Sequence, residues 1–93
     1  MKFESTEIAG KEIVGSGDLA RASVAMRKKN YKKAYYLYRG IVDRGGKTIT
    51  EGIASKQISW FYENGVGVEK NIEFAQEMKN RAEIILDEKS ANP

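Results

Sequence analysis

The chain has 93 residues, with no cysteine, no histidine and a formal net charge of +3. Its length is that of a single domain, residues 1–93, with a modest core. Without cysteine there is no disulfide or thiolate metal site, and without histidine the commonest general base and metal ligand are both missing. We therefore expect no catalytic residues, no metal site and no cofactor.

The amino-terminal sequence carries no recognisable targeting signal. Glu4 and Glu7 lie where a signal peptide has its apolar region. No run approaches the roughly 20 apolar residues that a membrane span requires. We expect a cytoplasmic protein without a membrane partner.

The two halves of the chain differ in charge. Residues 18–47 contain nine basic and two acidic side chains, whereas residues 48–93 contain five basic and eight acidic ones. A basic surface attracts acidic partners, and two halves of opposite sign can attract each other between copies. This asymmetry favours an acidic protein partner or a homodimer.

Residues 1–17 are predicted to form an amino-terminal segment that could cap the fold. Apolar residues within it fit a short helix, but Gly10 interrupts the pattern. Gly15-Ser16-Gly17 predicts a loop, because glycine and serine favour turns over helix. A helix with an irregular apolar stripe is expected from Asp18 to about Lys29.

The next helix is predicted from Tyr31 to Arg44 and completes a first helix pair over residues 18–46. Asn30 can accept a hydrogen bond from a free amide of the first turn. Gly45-Gly46 supplies the left-handed stop. The apolar residues recur at spacings of three and four, which places them on one face. They are Ala34, Leu37, Tyr38, Ile41 and Val42.

A second helix pair is predicted over residues 47–88. Thr48 and Glu51 have the spacing of a capping box at the start of its first helix. That helix is expected to end at Asn64-Gly65, and Asn71 to cap the last helix. Residues 89–93 are expected to be a frayed tail.

Residues 54–83 resemble one Sel-1-like repeat, a unit of the tetratricopeptide-like superfamily. The departures from that pattern are mild: Ser59 stands for glycine, Asn71 for aspartate and Met78 for an aromatic residue. The positions in register are Ala54, Ile58, Ser59, Tyr62, Gly65, Gly67, Val68, Lys70, Asn71, Ala75 and Ala82.

An earlier segment, residues 31–45, looks like the second helix of the same kind of unit. Together the two resemblances imply an all-α fold, a short right-handed α-solenoid of antiparallel helix pairs with about four or five helices. Each pair has one apolar face, and stacking the pairs buries it.

Two glycine motifs favour turns over nucleotide sites. Gly45-Gly46-Lys47-Thr48 resembles the end of a phosphate-binding loop, but Ile41 stands where that motif needs glycine, and the segment follows a helix. Gly65-Val66-Gly67-Val68 lacks the third glycine of a dinucleotide motif and also follows a helix. We interpret both as connections between helices.

Two groups of residues are candidates for binding a partner. Trp60 lies off the core stripe of its helix, on the face that lines the concave groove in the repeats this segment resembles. The alternative is that Trp60 packs on a neighbouring helix or on a second copy. The residues of that face are Ile53, Lys56, Trp60, Glu63 and Asn64. The second group is Lys32, Lys33, Tyr36 and Arg39, which point outward from the preceding helix.

The resemblance implies a non-catalytic adaptor that binds a protein or peptide. Two alternatives belong to other classes. Basic residues interleaved with tyrosines can hold single-stranded nucleic acid through phosphate contacts and stacking. A small helical repeat can also serve as a dedicated inhibitor or immunity protein, although only the size of the chain favours this.

Overall fold

The computed structural model describes residues 14–91, with side chains described for residues 17–88, and this part consists of four α-helices without a strand. The helices are α1 (Val14–Arg27), α2 (Tyr31–Arg44), α3 (Ile49–Asn64) and α4 (Ile72–Ala91). The all-α prediction is therefore confirmed for the described residues. Among these four helices, none combines the length and the apolar character needed to cross a membrane.

The helices pack in chain order. Each helix contacts the next one, and α1 also contacts α3. Within the described residues α4 contacts only α3. As a result, α3 is the helix that joins the amino-terminal pair to α4.

The ends of α2 agree with the prediction. Asn30 caps its first turn, and the side-chain oxygen accepts a hydrogen bond from the Lys33 amide at 3.4 Å. Gly45 and Gly46 follow the last turn with φ angles of 71° and 98°, which glycine adopts without strain. Gly65 and Gly67 have φ angles of 65° and 74°, so both glycine motifs are turns between helices, as predicted.

The start of α3 is also capped as predicted, with one difference. The Thr48 hydroxyl accepts a hydrogen bond from the Glu51 amide at 3.1 Å. The Glu51 carboxylate, however, accepts from the Lys47 amide at 2.7 Å, one residue before the cap. Its second oxygen accepts from Nε of Arg81 at 2.7 Å and from the terminal nitrogen of the same guanidinium. Glu51 is completely buried, so this ion pair fixes the first turn of α3 to the middle of α4.

Asn71 caps α4 by accepting a hydrogen bond from the Phe74 amide at 3.0 Å, which confirms the prediction. The predicted frayed tail is wrong in part, because α4 continues to Ala91. No glycine or proline separates Glu88 from Ala91, so no residue stops the helix there.

The predicted loop at Gly15-Ser16-Gly17 is wrong, because these residues form the first turn of α1. A glycine costs a helix only about 1 kcal/mol relative to alanine, which the rest of the structure can offset. The other end of α1 lies at Arg27, and Lys29 then takes a φ of 61° in the turn that follows. The remainder of the predicted cap, residues 1–13, lies outside the described residues.

Phe61 of α3 lies at the centre of the core and is completely buried. Its ring centroid lies 5.6 Å from that of Tyr35 and 6.2 Å from that of Tyr38, both on α2. Tyr62 contacts Phe74 of α4 edge to face, with centroids 4.7 Å apart. Aromatic pairs at such distances stabilise a fold by about 1 kcal/mol beyond the area they bury. Successive residues of α3 thus attach it to α2 on one side and to α4 on the other.

The contact between α3 and α4 is closest at Gly52. A Cβ atom at this position would lie 2.7 Å from Cδ2 and 2.8 Å from Cγ of Leu86, and 3.3 Å from Cγ2 of Ile85. Carbon atoms do not approach that closely without displacement. This contact explains why glycine, although it weakens the first turn of α3, occupies position 52.

We expect Gly52→Ala and Gly40→Ala to change stability in opposite directions. Both substitutions gain about 1 kcal/mol of helix propensity. The new methyl at position 40 meets only the Arg44 side chain at 4.0 Å, so that variant gains stability. At position 52 the methyl displaces Leu86, and overpacking of this kind costs about 1 to 3 kcal/mol. Chemical denaturation of both variants checks the prediction, and equal stabilisation by both would contradict the close packing at Gly52.

Candidate protein-binding groove

A groove runs between α3 and α4 along the side that the amino-terminal helix pair does not cover. It consists of two adjoining cavities of about 470 and 230 Å³, which share Lys56 and Lys79. We call it the α3/α4 groove. Its lining residues are Lys56, Gln57, Ser59, Trp60 and Glu63 of α3 and Lys79, Ala82, Glu83, Leu86 and Asp87 of α4.

Small residues form the floor of the groove, and larger ones form its walls. Ser59 and Ala82 are 5% and 1% exposed and lie on the two facing helices. Leu86 is half-buried and lines the larger cavity, and Trp60 lines the smaller one. The charged residues Lys56, Lys79 and Glu83 are exposed and form the rim. Apolar floors with charged rims are typical of protein-binding surfaces.

Three of the predicted α3 residues, Lys56, Trp60 and Glu63, line the groove. Ile53 is half-buried and does not line it. The Asn64 side chain is occupied locally, because its Nδ2 donates a hydrogen bond to the Trp60 carbonyl at 2.9 Å.

Trp60 is partly packed and partly free. Its ring centroid lies 6.2 Å from that of Tyr31 on α2 and 5.3 Å from that of Phe61. The side chain nevertheless remains 36% exposed at the wall of the groove. The interpretation that Trp60 packs on a neighbouring helix is therefore confirmed for part of the ring, and partner binding by the exposed part stays a prediction.

The predicted residues of α2 lie apart from the groove. Lys32 and Lys33 are exposed, and Tyr36 is 76% exposed, as expected for an outward-facing surface. Tyr36 and Arg39 line a separate cleft between α2 and Asp18 of α1. The structure therefore does not combine the two predicted groups into one site.

Arg39 differs from the prediction, because its guanidinium is engaged within the chain. Its Nε donates to Asp43 Oδ1 at 3.1 Å, and another nitrogen donates to the Tyr35 hydroxyl at 2.9 Å. The Tyr35 and Tyr62 hydroxyls lie 2.8 Å apart, so the network links α2 to α3. The hydrogen bond to Asp43, and then that to Tyr35, raise the pKa of Arg39 above its ordinary value. This arginine stabilises the contact between two helices.

Sequence analysis missed the α4 wall of the groove. Ala82 was noted only as a position of the repeat, and Lys79 and Glu83 gave no signal because charged residues are common on exposed helix faces. The useful signal was the small size of Ser59 and Ala82. Small residues where two helices meet leave space that larger side chains would fill.

A further cleft of about 420 Å³ lies on the opposite side of α4. It is lined by Lys47, Arg81 and Ile84, among others, and Ile84 is 60% exposed. The Arg81 guanidinium is already paired with the buried Glu51 carboxylate. Since the charge that could hold an anion is neutralised within the chain, this cleft is a weaker candidate than the α3/α4 groove.

Comparison with protein-family models, with curated proteins and with solved structures gives no match for this chain. The candidate site therefore depends on the geometry and chemistry of its own residues.

The hydroxyl of Tyr62 provides a pH-dependent test of the network between α2 and α3. Burial, and then the hydrogen bond to Tyr35, raise the pKa of Tyr62 above its ordinary value of 10.0. The fold thus favours the neutral phenol, so Tyr62 stabilises it below the unfolded pKa, and this stabilisation is lost as the pH rises through the folded pKa.

We expect an alkaline titration of phenolate absorbance to show a tyrosine that ionises later than a free phenol. Tyr62→Phe should remove this late fraction, because it removes the half-buried phenol whose pKa is raised. Tyr36→Phe, at an exposed position, is the matched control and should leave the fraction in place. Loss of the fraction in the control instead would contradict the assignment.

Proposed function

We propose that this chain is a non-catalytic interaction module that binds a segment of a protein in the α3/α4 groove. The observation that carries the proposal is the groove itself, whose lining combines the partly exposed Trp60 with the small residues Ser59 and Ala82 and with charged residues of both signs. Tryptophan is enriched among the residues that dominate binding free energy. A ring already held by Tyr31 and Phe61 loses little conformational entropy when a partner covers it.

The shape of the groove favours a helical segment as its occupant. The two cavities adjoin along the line where α3 and α4 meet, and an amphipathic helix binds such an elongated groove through its apolar face. The charged rim contains both signs on each side, with Lys56 and Glu63 on α3 and with Lys79, Glu83 and Asp87 on α4. Mixed charges of this kind fix the orientation of an occupant more than they add affinity.

We also propose that the fold is a short helical repeat of the Sel-1-like or tetratricopeptide-like kind. Two observations support this. Asn30 and Asn71 cap α2 and α4 in the same way, which marks corresponding positions in the two helix pairs. Within the described residues α1 contacts α3, whereas α4 contacts neither helix of the first pair. This is the order of contacts expected when helix pairs stack in sequence.

The second helices of the two pairs, α2 and α4, also correspond residue by residue. Counting from the capping asparagines, Tyr38 and Ile41 of α2 correspond to Lys79 and Ala82 of α4. Tyr38 is 3% exposed and packs on Phe61 of α3. The face by which α2 packs on α3 therefore corresponds to the face of α4 that lines the groove.

We expect Trp60→Ala to weaken partner binding by roughly 30-fold, since loss of a central aromatic side chain costs about 2 kcal/mol or more. The matched control is Tyr36→Ala, which removes an exposed aromatic side chain outside the groove. The measurement is quantitative affinity capture with the immobilised chain, followed by titration of the recovered protein. Equal recovery with Trp60→Ala and the unchanged chain would contradict the assignment of the groove.

A second candidate function is nucleic-acid binding by the amino-terminal pair. The observation in its favour is that Lys32, Lys33 and Tyr36 are exposed together on α2, with Lys28 and Lys29 exposed in the adjoining turn. Lysines can contact phosphates while a free tyrosine ring stacks on a base.

This candidate predicts a mobility shift of single-stranded oligonucleotides that weakens steeply as salt rises from about 50 to about 200 mM, because phosphate contacts release counterions. Lys32→Glu/Lys33→Glu should abolish the shift, and Lys56→Glu should leave it nearly unchanged. If no shift occurs at low salt, the amino-terminal pair does not bind nucleic acid.

A further inference from the structure

We infer that the helix that occupies the α3/α4 groove is α1 of a second copy of this chain, so that copies associate head to tail. This inference rests on the proposed function of the groove and names its partner. Three observations support it: the correspondence of the two helix pairs, the exposed edge of α1, and the opposite charges of the two ends.

The correspondence of the pairs defines where the second copy fits. Within one chain, α3 packs against the pair formed by α1 and α2. The α3/α4 pair presents the corresponding face, with Ala82 in the position of the buried Ile41. Since α1 is the first helix of its pair, as α3 is of the next, α1 of a second copy is the helix that fits this face.

The edge of α1 that would enter the groove is exposed. Ala20, Val24 and Arg27 are exposed at spacings of four and three, so they lie on one face of the helix. Val24 is 38% exposed. Counting back from the last residue of each helix, Val24 of α1 corresponds to Phe61 of α3, the residue that packs on α2. A valine suits the shallow floor formed by Ser59 and Ala82.

The charges favour contact between unlike ends. Residues 17–46 carry eight basic and two acidic side chains, whereas residues 47–88 carry five basic and eight acidic ones. A groove-to-groove contact would bring two acidic halves together, and an α1-to-α1 contact two basic halves. Placing α1, which carries Asp18, Arg21 and Arg27 and adjoins Lys28 and Lys29, against the groove of the more acidic half avoids both repulsions.

The position of the two surfaces determines the type of assembly. Within the described residues α4 contacts neither α1 nor α2, so the groove and the α1 edge lie at opposite ends of the helix order. A contact between two different surfaces is heterologous and propagates as a ring or an open chain. This differs from the symmetric dimer that charge asymmetry alone suggests.

Sedimentation velocity of the full chain across a concentration series tests the association. We expect the average mass to rise from the 10.4 kDa monomer beyond that of a dimer, and to fall again as salt is added. A monomer mass at every concentration would overturn the inference. The capture experiment with Trp60→Ala would still test the proposed function in that case, because it does not require self-association. Failure of the inference and failure of the proposed function are therefore distinguishable.

A mixing experiment tests the head-to-tail geometry. Val24→Glu places a charge on the α1 edge and leaves the groove intact, whereas Glu83→Lys/Asp87→Lys alters only the groove rim. We expect each variant to be monomeric alone and an equimolar mixture to form a one-to-one heterodimer, which cannot extend further. Tyr36→Ala should assemble like the unchanged chain.

The same variants identify the competing geometries. If Val24→Glu still dimerises while the groove variant is monomeric, two grooves meet and the inference is wrong. If the mixture stays monomeric although the unchanged chain assembles, the two surfaces do not contact each other and the inference is wrong as well. Circular dichroism establishes that each variant is folded, and all three substituted positions are exposed.

Discussion

Close packing of α4 on α3 depends on the missing side chain at Gly52. Leu86 occupies the space where a Cβ atom would be, and Ile85 lies next to it. The same turn of α3 carries Glu51, whose buried carboxylate is satisfied by the Lys47 amide and by Arg81. One turn therefore supplies both a steric and an electrostatic attachment for α4. A buried carboxylate requires such a partner, because the uncompensated charge would be costly.

The groove is a consequence of the same packing. Where α3 carries Gly52 the two helices are in close contact. Beside that contact lies the groove, with Ser59 of α3 lining one of its two cavities and Ala82 of α4 lining the other. Tyr38 and Ile41 fill the corresponding space between α2 and α3. The first pair thus packs this face against α3, whereas the corresponding face of the second pair is not covered by another helix of the described residues.

Features determined by neighbouring residues were predictable from the sequence. The caps at Asn30, Thr48 and Asn71 each depend on a side chain and an amide within the same turn, and all three are present. The glycine stops depend on a backbone angle that glycine adopts readily. Features that depend on distant residues were not predictable. The pairing of Glu51 with Arg81 spans 30 positions, and nothing in the spacing of either residue indicates it.

The same distinction between local and distant determinants applies to the residues of the candidate site. Trp60 was identifiable because it lies off the apolar stripe of its own helix, which is a local property. The α4 side of the groove was not, since the exposure of Lys79 and Glu83 beside a small residue depends on how two helices meet. Arg39 was misjudged for a related reason. Its position on an outward face is local, but its hydrogen bond to Tyr35 belongs to a network that also contains a hydroxyl of α3.

The position of Trp60 also gives the molecule an internal optical reporter. It is the one tryptophan among 93 residues, and its indole stands at the wall of the groove, partly in water. Tyr31 lies 6.2 Å away and can transfer excitation energy to it. An occupant that displaces water from the indole shifts its emission to shorter wavelength, whereas a ligand bound to the basic face of α2 leaves the emission unchanged. The fluorescence of the unlabelled protein therefore distinguishes the two surfaces.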